Sequence, residues 1–414
     1  MFILLKQKMS FVLFLTVAIG AIVLLSACSQ DEEQQSESND TLTVWTMSQD
    51  LEKFVTAYEE ETGVTVDVQS FPWDNAHEKL LTAVASGEGP DVLQIGSTWV
   101  AEFGEAGTFL DLSDHIGDYE NLDLNNFYEE AVASAQYKDQ TVGIPWYVDT
   151  RVLYYRTDIL ADVGYPDGPE TWDDVLDASR QLADRGEGQY GIEFPRTDEN
   201  FPFMLAWSQG WEYNEAEGAA NFGKSEFKES VELYNTFFEE ELSQSNDGKE
   251  LYQAFSDGSK PMYFSGPWEI DQLRDQIPEL DGKWDLKVMP KTETNDSMIG
   301  GAHWSIFHNS DNVDQALDFI NWMSDPETQV DWYETRNELP SNLQAWEDPI
   351  LAKDDKVNTF GKQLENTRAL PVIPEFNQLS EELINYLERI YRGGEDVDTV
   401  LEEYQEEAAR ILNK

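Results

Sequence analysis

The stretch TVGIPWYVDTRVLYYRTDIL, residues 141–160, places two apolar runs almost back to back. Upstream, from Thr41, the segments LTVWTM, VTVDVQ and DVLQIG predict short strands, and amphipathic helices are predicted between them. This alternation favours a largely parallel sheet with helices on both faces. The two adjacent runs interrupt the rhythm, and we expect the chain to pass there from one lobe to a second.

A second α/β series begins near Thr171 and includes strands predicted for YGIEF, PMYFSG and KWDLKVMP. The strand WSIFH, helices near residues 312–336 and an amphipathic helical tail from about residue 354 follow. Because 414 residues exceed the size of one hydrophobic core, two lobes are expected. We predict an α/β fold with a multi-strand hinge and a cleft between the lobes. The predicted first lobe spans residues 41–148 and 298–340, and the second spans residues 149–297 and 341–414.

The chain begins like an export signal: Lys6 and Lys8 precede a long apolar run that ends in small residues. The tetrapeptide LSAC resembles the lipobox of bacterial lipoproteins, which implies a signal peptide over residues 1–27 and a lipidated Cys28. A plain transmembrane helix is the alternative. Residues 28–40, polar and without aromatics, predict a flexible tether. A lipid-anchored protein on the extracellular face of a bacterial membrane is therefore expected.

The charge balance excludes several partners. The formal net charge is -55, from 82 acidic against 27 basic residues. Nucleic acid phosphates require Lys and Arg, so a nucleic acid partner is excluded, and an anionic membrane surface would repel the chain. We interpret the excess as a solvated acidic shell suited to saline or alkaline surroundings outside the cell.

Motifs for catalysis, nucleotides or metals find little support. The string GAANFGKS, residues 218–225, fits a phosphate-loop pattern, but the polar EYNEAE precedes it where a buried strand is required. No G-x-S-x-G elbow occurs, and HEKLL lacks the second histidine of a zinc protease. Four histidines and a single cysteine, Cys28, predict no metal site, no cofactor and no disulfide in the folded region.

Aromatic and polar residues occur together at the predicted strand ends. In FSGPWEI, Pro267 and Gly266 place Trp268 where a strand ends and a helix begins, and ligands of α/β proteins bind at such ends. Indole faces stack on pyranose C–H faces, while carboxylates, guanidinium groups and amides bond hydroxyls. We expect about half of the following candidates to be core residues. The candidates are Gln49, Trp73, Asp74, Thr98, Trp99, Trp146, Asp149, Arg151, Trp207, Trp211, Trp268, His303 and Trp304.

Three segments in the same order resemble the extracellular solute-binding proteins of ATP-driven sugar importers, in the maltose and oligosaccharide group. They are ASGEGPDVLQIGSTWVAEFGEAGTFLDLS, GIPWYVDTRVLYYRTDIL and AFSDGSKPMYFSGPWEI. The resemblance spans nearly the whole chain after the tether. It implies a periplasmic-binding-protein-like fold of type II, a sugar ligand, a membrane permease with a cytoplasmic ATPase as partner, a monomeric state and no catalysis.

The resemblance also implies roles for single residues. Trp268 would stack on the sugar from the second lobe, and Thr98 and Trp99 would contact it from the first. Asp149 would bond hydroxyls near the hinge. Maltose-binding members carry an acid and an arginine where this chain has Thr98 and Trp99, so we expect a hydroxyl pattern different from that of maltose. Residues 201–211 align only loosely.

The sequence is also compatible with two other classes of protein. An anchored glycoside hydrolase would use an acidic, aromatic cleft, although nothing specifies its acid and base. A receptor for a polyamine would use aromatic faces and carboxylates to hold cations.

Overall fold

The computed structural model describes residues 41–246 and 248–413. The predicted export signal, tether and lipidated Cys28 lie outside the described residues. The strands in these ranges are β1 (Thr41–Thr46), β2 (Thr65–Ser70), β3 (Val92–Gly96), β4 (Gln136–Tyr137), β5 (Gln140–Thr141), β6 (Ile144–Asp149), β7 (Val152–Arg156), β8 (Met262–Ser265), β9 (Trp284–Lys287), β10 (Ser297–Met298), β11 (Gly300–Ile306), β12 (Leu339–Pro340) and β13 (Thr367–Arg368).

Helices connect and cover these strands. They are α1 (Leu51–Phe54), α2 (Thr56–Thr62), α3 (Trp73–Ser86), α4 (Val100–Glu105), α5 (Glu129–Ser134), α6 (Thr157–Asp162), α7 (Trp172–Ala183), α8 (Phe201–Ser208), α9 (Ser225–Glu239), α10 (Leu251–Asp257), α11 (Glu269–Gln276), α12 (Val313–Met323), α13 (Pro326–Arg336), α14 (Pro349–Ala352), α15 (Asp355–Leu364), α16 (Phe376–Tyr391) and α17 (Val397–Leu412). Short 3₁₀ segments lie at Ser97–Trp99, Ile116–Asp118, Glu120–Leu122, Leu124–Asn126, Glu215–Gly223, Pro278–Leu280 and Ala345–Glu347.

The larger sheet has six strands in the order β12-β6-β11-β3-β1-β2. Strand β1 pairs in parallel with β2 and β3, as the β-α-β-α-β alternation predicts. The other half of the sheet is antiparallel, because β11 runs against both β3 and β6, and β12 runs against β6. The expectation of a largely parallel sheet is therefore right only for its first half. The antiparallel strands β11 and β12 are contributed late in the chain, after the second sheet.

The smaller sheet has three antiparallel strands in the order β8-β7-β9. The predicted strand YGIEF does not join it as a strand, and a single bridge links Glu193 to Tyr263. The backbone N–H groups of Gly191 and Ile192 donate instead to the carbonyl oxygen of Leu242, at 2.8 and 3.3 Å. The backbone groups of this segment therefore form hydrogen bonds outside a regular strand ladder. The alternating pattern of the sequence does not reveal this.

The chain passes between the two sheets at the point that the adjacent apolar runs predict. Strand β6 belongs to the larger sheet and β7 to the smaller one. Tyr154 and Tyr155 on β7 lie in different hydrophobic clusters, as strand alternation predicts for neighbouring residues. The six strands of the larger sheet lie within residues 41–149 and 300–340, and those of the smaller within 152–287. The lobe boundaries themselves stay a prediction.

Local signals place several helix ends correctly. Thr171 caps α7 through its side chain in a capping box with Asp174. Gly63 ends α2 with a φ of 77°, a left-handed conformation that favours glycine. Among the described residues, no helix has both the length and the apolar character needed to cross a bilayer.

Candidate functional site

A cavity of about 490 Å³ is bordered by segments that leave strands of both sheets. Its lining includes the residues after β3, the end of β6, the turn between β8 and α11, and the segment between α13 and β12. Six of the predicted candidates border it: Trp73, Thr98, Trp99, Asp149, Arg151 and Trp268. The volume falls within the range of about 300–1,000 Å³ typical of small-molecule sites.

Two indoles form the wall on the side of the larger sheet. The ring of Trp73, at the start of α3, lies 5.4 Å from the ring of Trp99 at an interplanar angle of 62°. Trp73 is 39% exposed, an unusual exposure for so large an apolar side chain. A Cβ at Gly96 would come within 3.2 Å of the Trp73 ring, so the last residue of β3 must be small for this pair to lie against it.

Trp268 forms the wall on the side of the smaller sheet. It lies between β8 and α11, as FSGPWEI predicts, and is 43% exposed. A Cβ at Gly266 would overlap the indole, so glycine there lets the ring lie directly over the backbone. The hydroxyl of Tyr154 donates to the carbonyl oxygen of Gly266 at 2.7 Å and holds this turn in place.

A charged pair lies beside Trp268. Arg151 Nη1 donates to Asp149 Oδ1 at 2.9 Å, and Arg151 Nε donates to Asp198 Oδ2 at 3.3 Å. The guanidinium carbon of Arg151 is 4.8 Å from the ring centroid of Trp268, within cation–π distance. Burial raises the pKa of Asp149, and the Arg151 guanidinium acts in the opposite direction. Arg151 and Asp149 therefore place hydrogen-bond donors and acceptors at fixed positions beside the indole of Trp268.

A second carboxylate, that of Glu338, borders the cavity and was not among the predicted residues. The hydroxyl of Ser48 donates to its oxygens at 3.1 and 3.2 Å, and Trp332 Nε1 donates to Oε2 at 2.7 Å. Burial raises the pKa of Glu338 to about 7. In a chain with 82 acidic residues, no pattern in the sequence distinguishes this one.

Other residues that line the cavity were not among the candidates predicted from the sequence. Tyr147 neighbours the candidate Trp146 and borders the cavity, and its hydroxyl accepts a hydrogen bond from Gln94 Nε2 at 3.2 Å. Gly301 has a φ of 118°, and a Cβ there would overlap the carbonyl oxygen of Tyr147. The others are Gly96, Ser97, Val148, Asn200, Pro267, Met298, Gly300, Arg336 and Asn337.

Three candidates lie instead in the packed interior on the two faces of the larger sheet. Trp146 and Trp304 stack at 4.2 Å with an angle of 30°, and they are 1% and 0% exposed. His303 is buried, and its Nε2 is 3.1 Å from Ser134 Oγ. Burial lowers the pKa of His303 to about 3. The structure does not place these three side chains in the cavity, because their strand positions face the packed interior.

Four more candidates also lie away from the cavity. Trp207 and Trp211 are buried in the largest hydrophobic cluster, where Trp211 Nε1 donates to the carbonyl oxygen of Asn221 at 2.9 Å. Gln49 and Asp74 are exposed and do not line it. None of these seven side chains belongs to the lining of the cavity. Within the described part of the chain, no group of three or more His, Cys, Asp or Glu residues is arranged to hold a metal ion.

The chain is similar in sequence and in fold to several known proteins. Residues 45–330 match the model of a family described as bacterial extracellular solute-binding protein. The arabinooligosaccharide-binding protein of Halalkalibacterium halodurans is 25% identical over 75% of this chain and 72% of its own length. The galactooligosaccharide-binding protein of Bacillus subtilis is 23% identical over 93% of each chain. The structure of the sugar-binding protein MalE from Xanthomonas citri is 28% identical, with a TM-score of 0.84 over 90% of this chain and 97% of that one.

Proposed function

The chain belongs to the bacterial extracellular solute-binding proteins, which bind their solutes and are not enzymes, and we propose that its own solute is a sugar. The ligand lies in the 490 Å³ cavity, with Trp73 and Trp99 on one side and Trp268 on the other. The single observation that carries the proposal is this arrangement of three indoles around one cavity. The arabinooligosaccharide-binding and galactooligosaccharide-binding relatives favour an oligosaccharide.

The magnitudes are compatible with a receptor that also releases its ligand. Trp268 is 43% exposed, so covering it removes about 65–110 Å² from water, worth about 1.6–2.7 kcal/mol before costs. Each hydrogen bond from a charged group adds about 1.5–3 kcal/mol, while association costs at least several kcal/mol. The balance corresponds to a dissociation constant near the micromolar range, about -8 kcal/mol.

The charges around the cavity favour a sugar over a polyamine. The guanidinium groups of Arg151 and Arg336 both border it. For a polycation these two cations offset the attraction of the two carboxylates in the lining, Asp149 and Glu338, whereas hydroxyl groups accept hydrogen bonds from the guanidinium groups. The carboxylates of Asp149 and Glu338 accept hydrogen bonds from hydroxyls in turn.

We further propose that the two lobes close around the sugar and that residues from both lobes stabilise the closed form. Asn377 Nδ2 donates to the carbonyl oxygen of Thr98 at 3.3 Å, and Asn337 Nδ2 donates to Asp271. Closure follows if the ligand binds the closed form better than the open one. Small-angle scattering should then show a smaller radius of gyration with ligand, and an unchanged radius would contradict closure.

As a family member, the protein would act outside the cytoplasm and deliver its sugar to a membrane permease driven by a cytoplasmic ATPase. We propose a monomer anchored by lipid on Cys28, where two or more acyl chains would make the attachment lasting at about 0.8 kcal/mol per buried methylene. Labelling with radioactive palmitate tests the anchor, because Cys28→Ser should abolish the label.

The sugar ligand is tested by intrinsic fluorescence, since several indoles border the cavity. We expect a saturable change with at least one member of a panel of arabino-, galacto- and malto-oligosaccharides, and none with spermidine. A response to spermidine alone would contradict the proposal.

A further inference from the structure

The surrounding structure holds Glu338 in a fixed position at the edge of the cavity. Asn337, with a φ of 55°, turns the chain sharply between the end of α13 and the start of β12. This turn brings the Glu338 side chain to the cavity lining beside Arg336 and Asn337. A side chain on a rigid turn between a helix and a strand has less freedom than one on a mobile loop.

Two neutral donors fix the carboxylate. Ser48 and Trp332 donate to it, with the shortest distance 2.7 Å from Trp332 Nε1. A carboxylate offers about four acceptor positions, so positions remain for groups that enter the cavity. Ser48 and Trp332 both donate hydrogen bonds to the oxygens of Glu338, an arrangement that fits the ionised form of the carboxylate.

The indole that holds Glu338 is itself locked in an aromatic stack. The rings of Trp332 and Trp146 are 5.2 Å apart, and Trp146 stacks on Trp304 at 4.2 Å. Phe54 meets Trp332 edge-on at 4.9 Å. The core indoles thus fix the direction of the Trp332 N–H and, through it, the carboxylate.

No cation neutralises Glu338 at ion-pair distance among the described residues. Arg336 Nη1 is 3.4 Å from Asp50 Oδ2, and Arg336 Nε is buried without a hydrogen-bond partner. Asp149, by contrast, is already engaged by Arg151 at 2.9 Å. Glu338 therefore borders the cavity as a carboxylate that no cation of the described residues holds, with neutral donors only.

We propose that Glu338 is a specificity-determining residue of the cavity, accepting hydrogen bonds from hydroxyl groups of one sugar unit. The inference rests on the proposed sugar ligand. A sugar that lacks hydroxyls at this position covers the carboxylate and leaves its remaining acceptor positions unfilled, and such sugars are discriminated against.

The same geometry makes sugar binding sensitive to pH near neutrality. Burial raises the pKa of Glu338 to about 7, Asp149 acts in the same direction, and Trp332, Ser48 and Arg336 oppose it. Tyr147, the other titratable group facing Glu338, has its pKa raised well above its ordinary value by burial and stays neutral. Because only the ionised carboxylate accepts without donating, affinity falls as pH falls. The dissociation constant should rise about tenfold from pH 8 to pH 6.

Titration calorimetry at pH 6, 7 and 8 tests the inference, with arabinotriose, galactotriose and maltotriose as probes. Glu338→Gln should weaken binding at least tenfold at pH 8 and remove the pH dependence. Glu334→Gln, which changes an exposed acid on the preceding helix α13, should behave as wild type. Ser48→Ala, which removes one donor, should move the midpoint of the pH profile upward.

The outcomes separate the two proposals. If wild type binds a probe and Glu338→Gln binds it with the same affinity and pH profile, the inference is overturned and the sugar ligand stands. If wild type binds none of the three probes, both are overturned. If Glu338→Gln does not fold, an unshifted pH midpoint in Ser48→Ala overturns the inference.

Discussion

The guanidinium carbon of Arg151 lies 4.8 Å from the ring centroid of Trp268, while the same guanidinium binds the carboxylate of Asp149 at 2.9 Å. One arginine thus joins the chain segment where it leaves the larger sheet to the aromatic residue that follows β8. Any ligand that stacks on Trp268 meets a charged pair whose orientation is already set. Such preorganisation reduces the entropy that binding costs.

Replacing Trp268 by alanine should weaken sugar binding by a factor of ten or more. The indole is 43% exposed, so the melting temperature should stay within about 2 °C of wild type. Fluorescence titration and a thermal melt on the same sample measure both quantities. Binding that persists while stability collapses would show that Trp268 serves the core.

Replacing Trp146 by alanine should have the opposite signature. Trp146 is 1% exposed and stacks on Trp304, so its loss leaves a large cavity and should cost about 3–5 kcal/mol of unfolding free energy. Urea denaturation measures the change. If Trp146→Ala keeps wild-type stability but loses sugar binding, Trp146 belongs to the binding site and not to the core.

His303 should make stability fall as the solution becomes acidic. Burial lowers its pKa to about 3, from an ordinary value of 6.5, so the unfolded chain binds a proton that the folded protein does not. The contribution is complete above about pH 6.5 and is lost progressively toward pH 3, at up to about 1.4 kcal/mol per pH unit. Urea denaturation between pH 7 and pH 4.5 should show a shallower loss for His303→Gln than for wild type. Parallel curves would contradict this assignment.

The fold was largely predictable because its signals are local. The adjacent apolar runs around residues 141–160 mark the passage between the sheets, and Gly266 with Pro267 marks the turn that carries Trp268. The antiparallel half of the larger sheet was not predictable, since β11 joins it only after the chain has built the smaller sheet. Pairings between distant segments leave no periodic trace in one sequence.

The cavity was predictable only in part, for reasons that differ between residues. Trp146 and Tyr147 are neighbours on β6, and their composition does not say which one faces the cavity. Trp207 and Trp211 look like binding aromatics but fill a core rich in phenylalanine. Glu338 owes its position to donors far away in sequence, Ser48 above all, and single-sequence reasoning does not bring them together.

A crystal structure of the protein with the oligosaccharide that binds most tightly tests the central claim directly. We predict that one sugar ring stacks on Trp268 and that the chain of rings extends toward Trp73 and Trp99, inside the 490 Å³ cavity. A sugar bound elsewhere on the surface, with these three indoles uncovered, would contradict the account.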